Sequence, residues 1–224
     1  MKKTNPISLP RLIFHILMLL PGVIIALDWV TNRLTINPIQ RATQLTGDTA
    51  IVLLGLSLAC TPLQVLTGWK KVTTYRRPLG LYAFAYAATH FLIFSGVDYT
   101  FDLPLLVDEI VHKRYLWVSI PALIILIILA ITSTKTATRS LGKRWKPLHR
   151  LVYIAGILVA LHLAWVVKGD LLRLTGDIWK PLIAVIVLSI LFLIRIPRFR
   201  RWIVSIRHTI ARGEQHAREP NPGR

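Results

Sequence analysis

RLVYIAGILVALHLAWVV, residues 150–167, carries a single charged residue, Arg150, at its start and a single histidine, His162, toward its far end. A hydrocarbon core of about 30 Å needs roughly 20 apolar residues per helix, fewer where flanking residues snorkel, so this stretch reads as a membrane span with an imidazole inside it. Working outward, the same test finds spans at approximately 12–30, 49–67, 79–97, 115–133 and 178–196. Pro21 and Pro121 fall inside two of them, which lipid-embedded helices tolerate when neighbours satisfy the freed carbonyls. The 54% hydrophobic content of the 224 residues fits lipid as the solvent. The expected fold is an all-α integral membrane protein, a bundle of six transmembrane helices.

The formal charge of +18 needs a separate explanation. A nucleic-acid partner would call for a basic face on a soluble domain, whereas here the basic residues lie between apolar runs. Lys and Arg accumulate in cytoplasmic loops. With the N-terminus cytoplasmic, the inner segments hold 21 of the 28 basic residues and only two of the ten acidic ones. The charge is therefore topology, both termini are cytoplasmic, and no nucleic acid is implied. Tryptophan agrees: Trp29, Trp117, Trp165 and Trp179 fall at outer ends and Trp69, Trp145 and Trp202 near inner ones, none in mid-span. Lys2, Lys3 and Arg11 before an apolar run resemble a signal peptide, but no small-residue cleavage site follows, and residues 12–30 read as a retained first span. Cys60 is the only cysteine, which excludes a disulfide within one chain. Residues 197–224 read as a basic cytoplasmic tail, partly amphipathic, then Pro-rich and disordered. No GxGxxG, Walker loop, internal repeat or Ser/His/Asp arrangement is present.

Ionisable side chains at membrane depth are costly and are functional candidates. Of the seven histidines only His90 and His162 are deep. Each is the twelfth or thirteenth residue from its inner entry, Leu79 or Arg150, which at 1.5 Å per residue places both roughly 18 Å above the inner boundary. Two level histidines on two helices suit axial ligation of a b-type haem. Ala83, Ala87 and His90 share one helix face, as do Ala155, Val159 and His162, leaving room for a flat macrocycle. Tyr86, Phe91, Tyr153 and Trp165 are expected around them. The plain alternative is a histidine that only hydrogen-bonds a neighbouring helix. A proton relay lacks a carboxylate at that depth. Residues 12–196 thus read as a haem-binding transmembrane domain preceded by a cytoplasmic N-terminus, 1–11.

A second level lies below. Arg77 precedes His90, and His149 precedes His162, by 13 residues each, so Arg77 and His149 match in height near the cytoplasmic surface. Thirteen residues turn an ideal helix through about 1300°, which leaves the two levels on different faces. A second haem with His149 as ligand, a propionate or flavin-phosphate clamp, and a positive-inside arginine beside an interfacial histidine all stay open. His15, His112, His208 and His216 receive no role.

RRPLGLYAFAYAATHFLIF (76–94), TSTKTATRSLGKRWKPLHRLVYIAGILVALHLAW (132–165) and NPIQRATQLTG followed by LACTPL (within 37–63) together resemble the MsrQ family, also called YedZ, of the ferric reductase-like transmembrane group. The resemblance implies a multi-pass haem protein of the bacterial inner membrane. It implies haem b, one or two, and FMN as cofactors, with His90, His149 and His162 at the family's histidine positions. It also implies a periplasmic molybdopterin-containing MsrP-like reductase as partner, where sulfoxide reduction occurs, and electrons drawn from quinol or a cytosolic flavin reductase. Arg77 stands where the wider group would carry a fourth histidine, which weighs against a bis-histidine second haem. The wider group's flavin and nicotinamide domains are not seen in this sequence.

The expected route enters at the basic inner side, passes Arg77 and His149, reaches His90 and His162, and leaves toward the periplasmic partner. Asp98, Asp102, Asp108 and Glu109 form an acidic docking candidate or a solvated loop. The loop Lys135–Lys146 suits an FMN phosphate or anionic lipid, or is simply positive-inside charge. A stand-alone ferric reductase shares the same core. A small transporter would need inverted repeats and broken helices that the sequence lacks.

Overall fold

The computed structural model describes residues 9–34, 36–166, 169–170, 175–176 and 178–218. Each of the six apolar stretches is helical. α1 (Leu9–Val30), α2 (Pro38–Thr67) and α5 (Arg114–Ile131) are long and apolar enough to cross a membrane. So is the run Lys70–Asp98, built from a 3-10 turn (Lys70–Tyr75), α3 (Arg76–Leu92) and a π-helical end (Ile93–Asp98). Two bent pairs bring the number of spans to as many as six. In the first, α6 (Lys135–Leu141), a 3-10 turn and α7 (Trp145–His149) meet α8 (Leu151–Val166) at 41°; in the second, α9 (Trp179–Leu193) meets α10 (Pro197–Arg218) at 76°. The chain is a multi-pass membrane protein whose described residues are all-helical apart from one two-residue antiparallel ribbon, Gly169–Asp170 (β1) with Thr175–Gly176 (β2).

α2 starts at Pro38, well before the expected entry at residue 49, because Asn37 caps it and Pro38 opens it: the Asn37 side chain accepts from the Gln40 N–H at 3.1 Å. Its polar first turns are hidden by their own hydroxyls. Thr43, Thr46 and Thr49 each donate to a carbonyl four residues back, which makes these residues compatible with an apolar setting. At its other end Gly68, at φ +76°, closes the helix by donating to the Gln64 carbonyl.

α2 is the central helix. Ala42, Ala50, Leu53, Leu54, Leu58, Cys60 and Val65 are buried along its length, and it packs most closely on α3. The second tight pair is α5 with α8. The two pairs pack on each other through α3 against α5 and α2 against α8, which brings the His90 and His162 sides of α3 and α8 toward one another. α1 is peripheral and has no buried residue. It is held by Tyr86 of α3, whose hydroxyl donates to the Met18 carbonyl (2.9 Å) and accepts from the Gly22 N–H (2.8 Å). Those two groups would otherwise bond to each other within α1, so the phenol is inserted into the helix ladder beside Pro21.

One feature departs from expectation. The outer loop after α3 contains a short helix, α4 (Leu103–His112), capped by the Asp102 side chain, which accepts from the Leu105 N–H. The basic, partly amphipathic segment from residue 197 is helical to Arg218, and its Pro-rich end, residues 219–224, where disorder is expected, lies outside the described residues. α10 is tied back to the bundle by Arg207, whose Nη1 donates to the Val65 carbonyl of α2 at 3.0 Å.

Candidate functional site

His90 of α3 and His162 of α8 come together where the two helix pairs meet. Their ring centroids are 6.3 Å apart and the ring planes stand at 84°. Both lie part-buried, in positions that only a matched depth on α3 and α8 can produce. Their immediate surroundings follow one plan: Nδ1 of His90 is 2.8 Å from the Thr43 carbonyl of α2, and Nδ1 of His162 is 3.1 Å from the Tyr115 carbonyl of α5. In each case the carbonyl lies 47 residues upstream, on the helix that packs against the histidine's own. A carbonyl can only accept, so each Nδ1 carries the proton and each Nε2 keeps its lone pair.

Small residues make this arrangement possible. A Cβ at Gly47 would lie 2.9 Å from Nδ1 of His90 and 3.1 Å from Cε1, so the ring occupies the space a side chain would take. Ala83 and Ala155, each two turns below its histidine, are fully buried. Tyr115 stands edge-on to His162 at 5.7 Å. The turn after His90 widens into the π-helical segment Ile93–Asp98, a local irregularity that often marks functional positions. Gly96 there lets the Phe101 ring close in, since a Cβ would meet it at 2.7 Å. Beyond it, burial and the Glu109 carboxylate push the Tyr99 phenol up to about 12.

The aromatic setting differs from the expected one. Tyr86 points to α1, Tyr153 lies under the Arg195 guanidinium (4.6 Å) and against Phe192, and Phe91 and Trp165 are exposed. Helical phase explains part of it: Tyr153, nine residues before His162, lies on the opposite face of α8, and Phe91, next to His90, is turned about 100° around α3. Sequence reasoning missed Thr43, Gly47 and Tyr115, which act through a backbone carbonyl or a missing side chain and leave no residue-type signal. It also gave no weight to Asp48. Asp48 follows Gly47 directly and pairs with Lys180 of α9 at 2.7 Å, both flanking an apolar groove that reaches Leu163, the neighbour of His162.

The second level is less convergent. His149 stacks on Trp145 (4.1 Å between ring centres, 27°), and its Nε2 is 3.2 Å from the Thr132 hydroxyl. Trp145 in turn donates from Nε1 to the Thr132 carbonyl. Arg77 is exposed and has no hydrogen bond to His149 among the described residues. His15 meets the Tyr82 hydroxyl at 2.9 Å, and His112 stays within α4 on Asp108. Of the outer acids, Asp102 serves as the α4 cap and Glu109 pairs with Lys113 at 3.2 Å.

Two metal–imidazole bonds of about 2 Å, each continuing about 1 Å from nitrogen to ring centre, span about 6 Å. The observed 6.3 Å separation matches that sum. Metal-ligating histidines nearly always donate the other ring N–H to a carbonyl or carboxylate, as both do here. The pair has the ring spacing and the tautomers that ligation of one metal centre by two imidazoles would require. Among the described residues no group of three or more His, Cys, Asp or Glu converges, so a bare-ion site with a full protein ligand set is not offered.

Residues 46–160 match the family described as Ferric reductase like transmembrane component, a stretch running from α2 through most of α8. Relatives named protein-methionine-sulfoxide reductase heme-binding subunit MsrQ are similar over most of their length. That of Herminiimonas arsenicoxydans is 38% identical, over 85% of each chain. That of Rhodospirillum rubrum is 39% identical, over 86% of this chain and 90% of its own. That of Deinococcus radiodurans is 42% identical, over 80% and 85%. With the helical fold and the paired histidines, these similarities place the chain in the MsrQ family of ferric reductase-like transmembrane proteins.

Proposed function

We propose that His90 and His162 hold one haem b between α3 and α8, and that the chain carries electrons across the bacterial inner membrane to a periplasmic methionine sulfoxide reductase. One observation carries the reading: two imidazoles 6.3 Å apart, each with Nδ1 committed to a backbone carbonyl. The names of the relatives agree with it. When bound, the haem supplies reversible one-electron chemistry at a potential set by its axial ligands and their surroundings.

The chain's own residues do the positioning. The Thr43 carbonyl fixes the tautomer and rotation of His90, and the Tyr115 carbonyl does the same for His162, so both Nε2 atoms are prepared as ligands before any haem arrives. Gly47 lets α2 back directly onto the His90 ring. Because both carbonyls belong to helices packed tightly on the histidines' own, α2 on α3 and α5 on α8, the ligand pair inherits the rigidity of the helix packing. Asp48 and Lys180 form a charge pair beside the site and act on its electrostatics. The inner level, with His149 on its Trp145 and Thr132 support and Arg77 nearby in sequence register, is the side where electrons enter, from quinol or a cytosolic flavin reductase.

The test is the haem content of the purified full-length chain, read by pyridine haemochrome, in wild type, His90→Ala and His162→Ala. The expected result is a b-type haem near one per chain that falls sharply in both variants. Wild-type haem content in both variants would end the ligand assignment.

A further inference from the structure

α9 and α10 meet at a 76° bend, and in the crook lies a cavity of about 510 Å³ lined by Arg195, Pro197, Arg200, Arg201, Val204 and Ser205. Half of that lining is arginine and none of it is acidic. Arg195 is the unusual member. Its Nη2 donates to the Leu58 carbonyl, its guanidinium lies over the Tyr153 ring at 4.6 Å, and its Nε and Nη1 are buried without a hydrogen-bond partner. No carboxylate pairs with it among the described residues, and the only acidic residues in the chain beyond it are Glu214 and Glu219. A part-buried guanidinium with two nitrogens shut off from water and no counter-charge is disfavoured unless an anion sits nearby.

The crook is shaped to receive one. The first turn of α10 lines it, and the positive end of a helix dipole attracts anions there. Arg200 and Arg201 are exposed, and neither forms an ion pair among the described residues. Arg201 only donates to the Pro197 carbonyl, at 3.3 Å. Along the same helix Phe199, Trp202 and Ile206 are exposed, so apolar surface adjoins the cationic cavity. Cationic and apolar residues on one bent helix at the end of a membrane span are the marks of an element lying in the headgroup region.

We propose that this cavity binds the phosphate group of an anionic phospholipid, seated by Arg200 and Arg201 and compensating Arg195. The shared chemistry is a phosphate anion. The neighbouring apolar side chains favour a lipid over a free phosphate. The site is separate from the histidine pair and is independent of whether haem binds.

The experiment is native mass spectrometry of the purified full-length chain in neutral detergent, titrated with phosphatidylglycerol, phosphatidylcholine or inorganic phosphate. The comparison is wild type, the Arg200→Gln/Arg201→Gln double variant, and Arg198→Gln, which alters α10 without touching the cavity lining. Wild type is expected to retain one phosphatidylglycerol and little phosphatidylcholine. The double variant is expected to bind at least about tenfold more weakly and Arg198→Gln within about twofold of wild type. Competition by millimolar inorganic phosphate alone would assign the same anion site to free phosphate, with the three arginines keeping their role. Equal retention by the double variant, equal loss in Arg198→Gln, or phosphatidylcholine binding as tight as phosphatidylglycerol would overturn the proposal. Helix content by circular dichroism checks the fold; should the double variant lose it, each single variant carries the same comparison.

Discussion

Gly47→Ala is the sharpest single probe of how the site is built. The new Cβ would lie 2.9 Å from Nδ1 of His90 and 3.1 Å from Cε1. Ordinary carbon contacts begin near 3.5 Å, so the ring must retreat by about half an ångström. Its bond to the Thr43 carbonyl, now 2.8 Å, is the contact that yields. That bond is worth about 1 kcal/mol in stability. Its larger role is orientation, and loss of such a supporting bond typically lowers metal affinity by about 10- to 100-fold. Alanine meanwhile gains about 1 kcal/mol of helix propensity over glycine, so the apoprotein should unfold at nearly the wild-type temperature. Gly55→Ala is the matched control on the same helix, since a Cβ there meets nothing within 4 Å. Haem titration into apoprotein and thermal unfolding of the same samples separate the two effects. Gly47→Ala should bind haem about 10- to 100-fold more weakly while Gly55→Ala binds like wild type. Haem affinity within about twofold of wild type in Gly47→Ala would refute the role given to the Thr43 carbonyl and the His90 ring position.

Asp48→Asn removes a negative charge beside the site and leaves Lys180 unpaired, so the haem midpoint potential should rise, with Lys180→Gln shifting it the opposite way; redox titration by absorbance reads both. Tyr86→Phe removes the hydroxyl inserted between the Met18 carbonyl and the Gly22 N–H, at a cost of about 1–3 kcal/mol, seen as a lower unfolding temperature with haem content per folded chain unchanged. His149→Ala should reduce haem content or electron throughput only in part, and wild-type values of both would show that the inner level holds no cofactor.

Hydropathy made the spans legible because lipid requires long apolar runs whatever the packing, and each expected span contains a helix. Its errors have physical causes. The start of α2 was hidden by Thr43, Thr46, Asp48 and Thr49, whose polarity depresses hydropathy although the three hydroxyls are satisfied inside the helix itself. How α10 is held could not be read from the sequence, because Arg207 on the Val65 carbonyl and, just before the helix, Arg195 on the Leu58 carbonyl bond to backbone 137 or more residues away. The histidine pair was legible from a constant rise per residue on two helices running the same way. The support around it was not, because a carbonyl acceptor looks the same whichever residue bears it, and Gly47 is informative only once the ring that fills its place is known.

Electron paramagnetic resonance of the oxidised, purified full-length chain tests the two-imidazole site most directly. Ring planes standing at 84° on opposite sides of one ferric haem should give a low-spin signal of the strongly anisotropic type, absent from both His90→Ala and His162→Ala. A high-spin ferric signal in the wild type, or the same low-spin signal persisting in both variants, would contradict it.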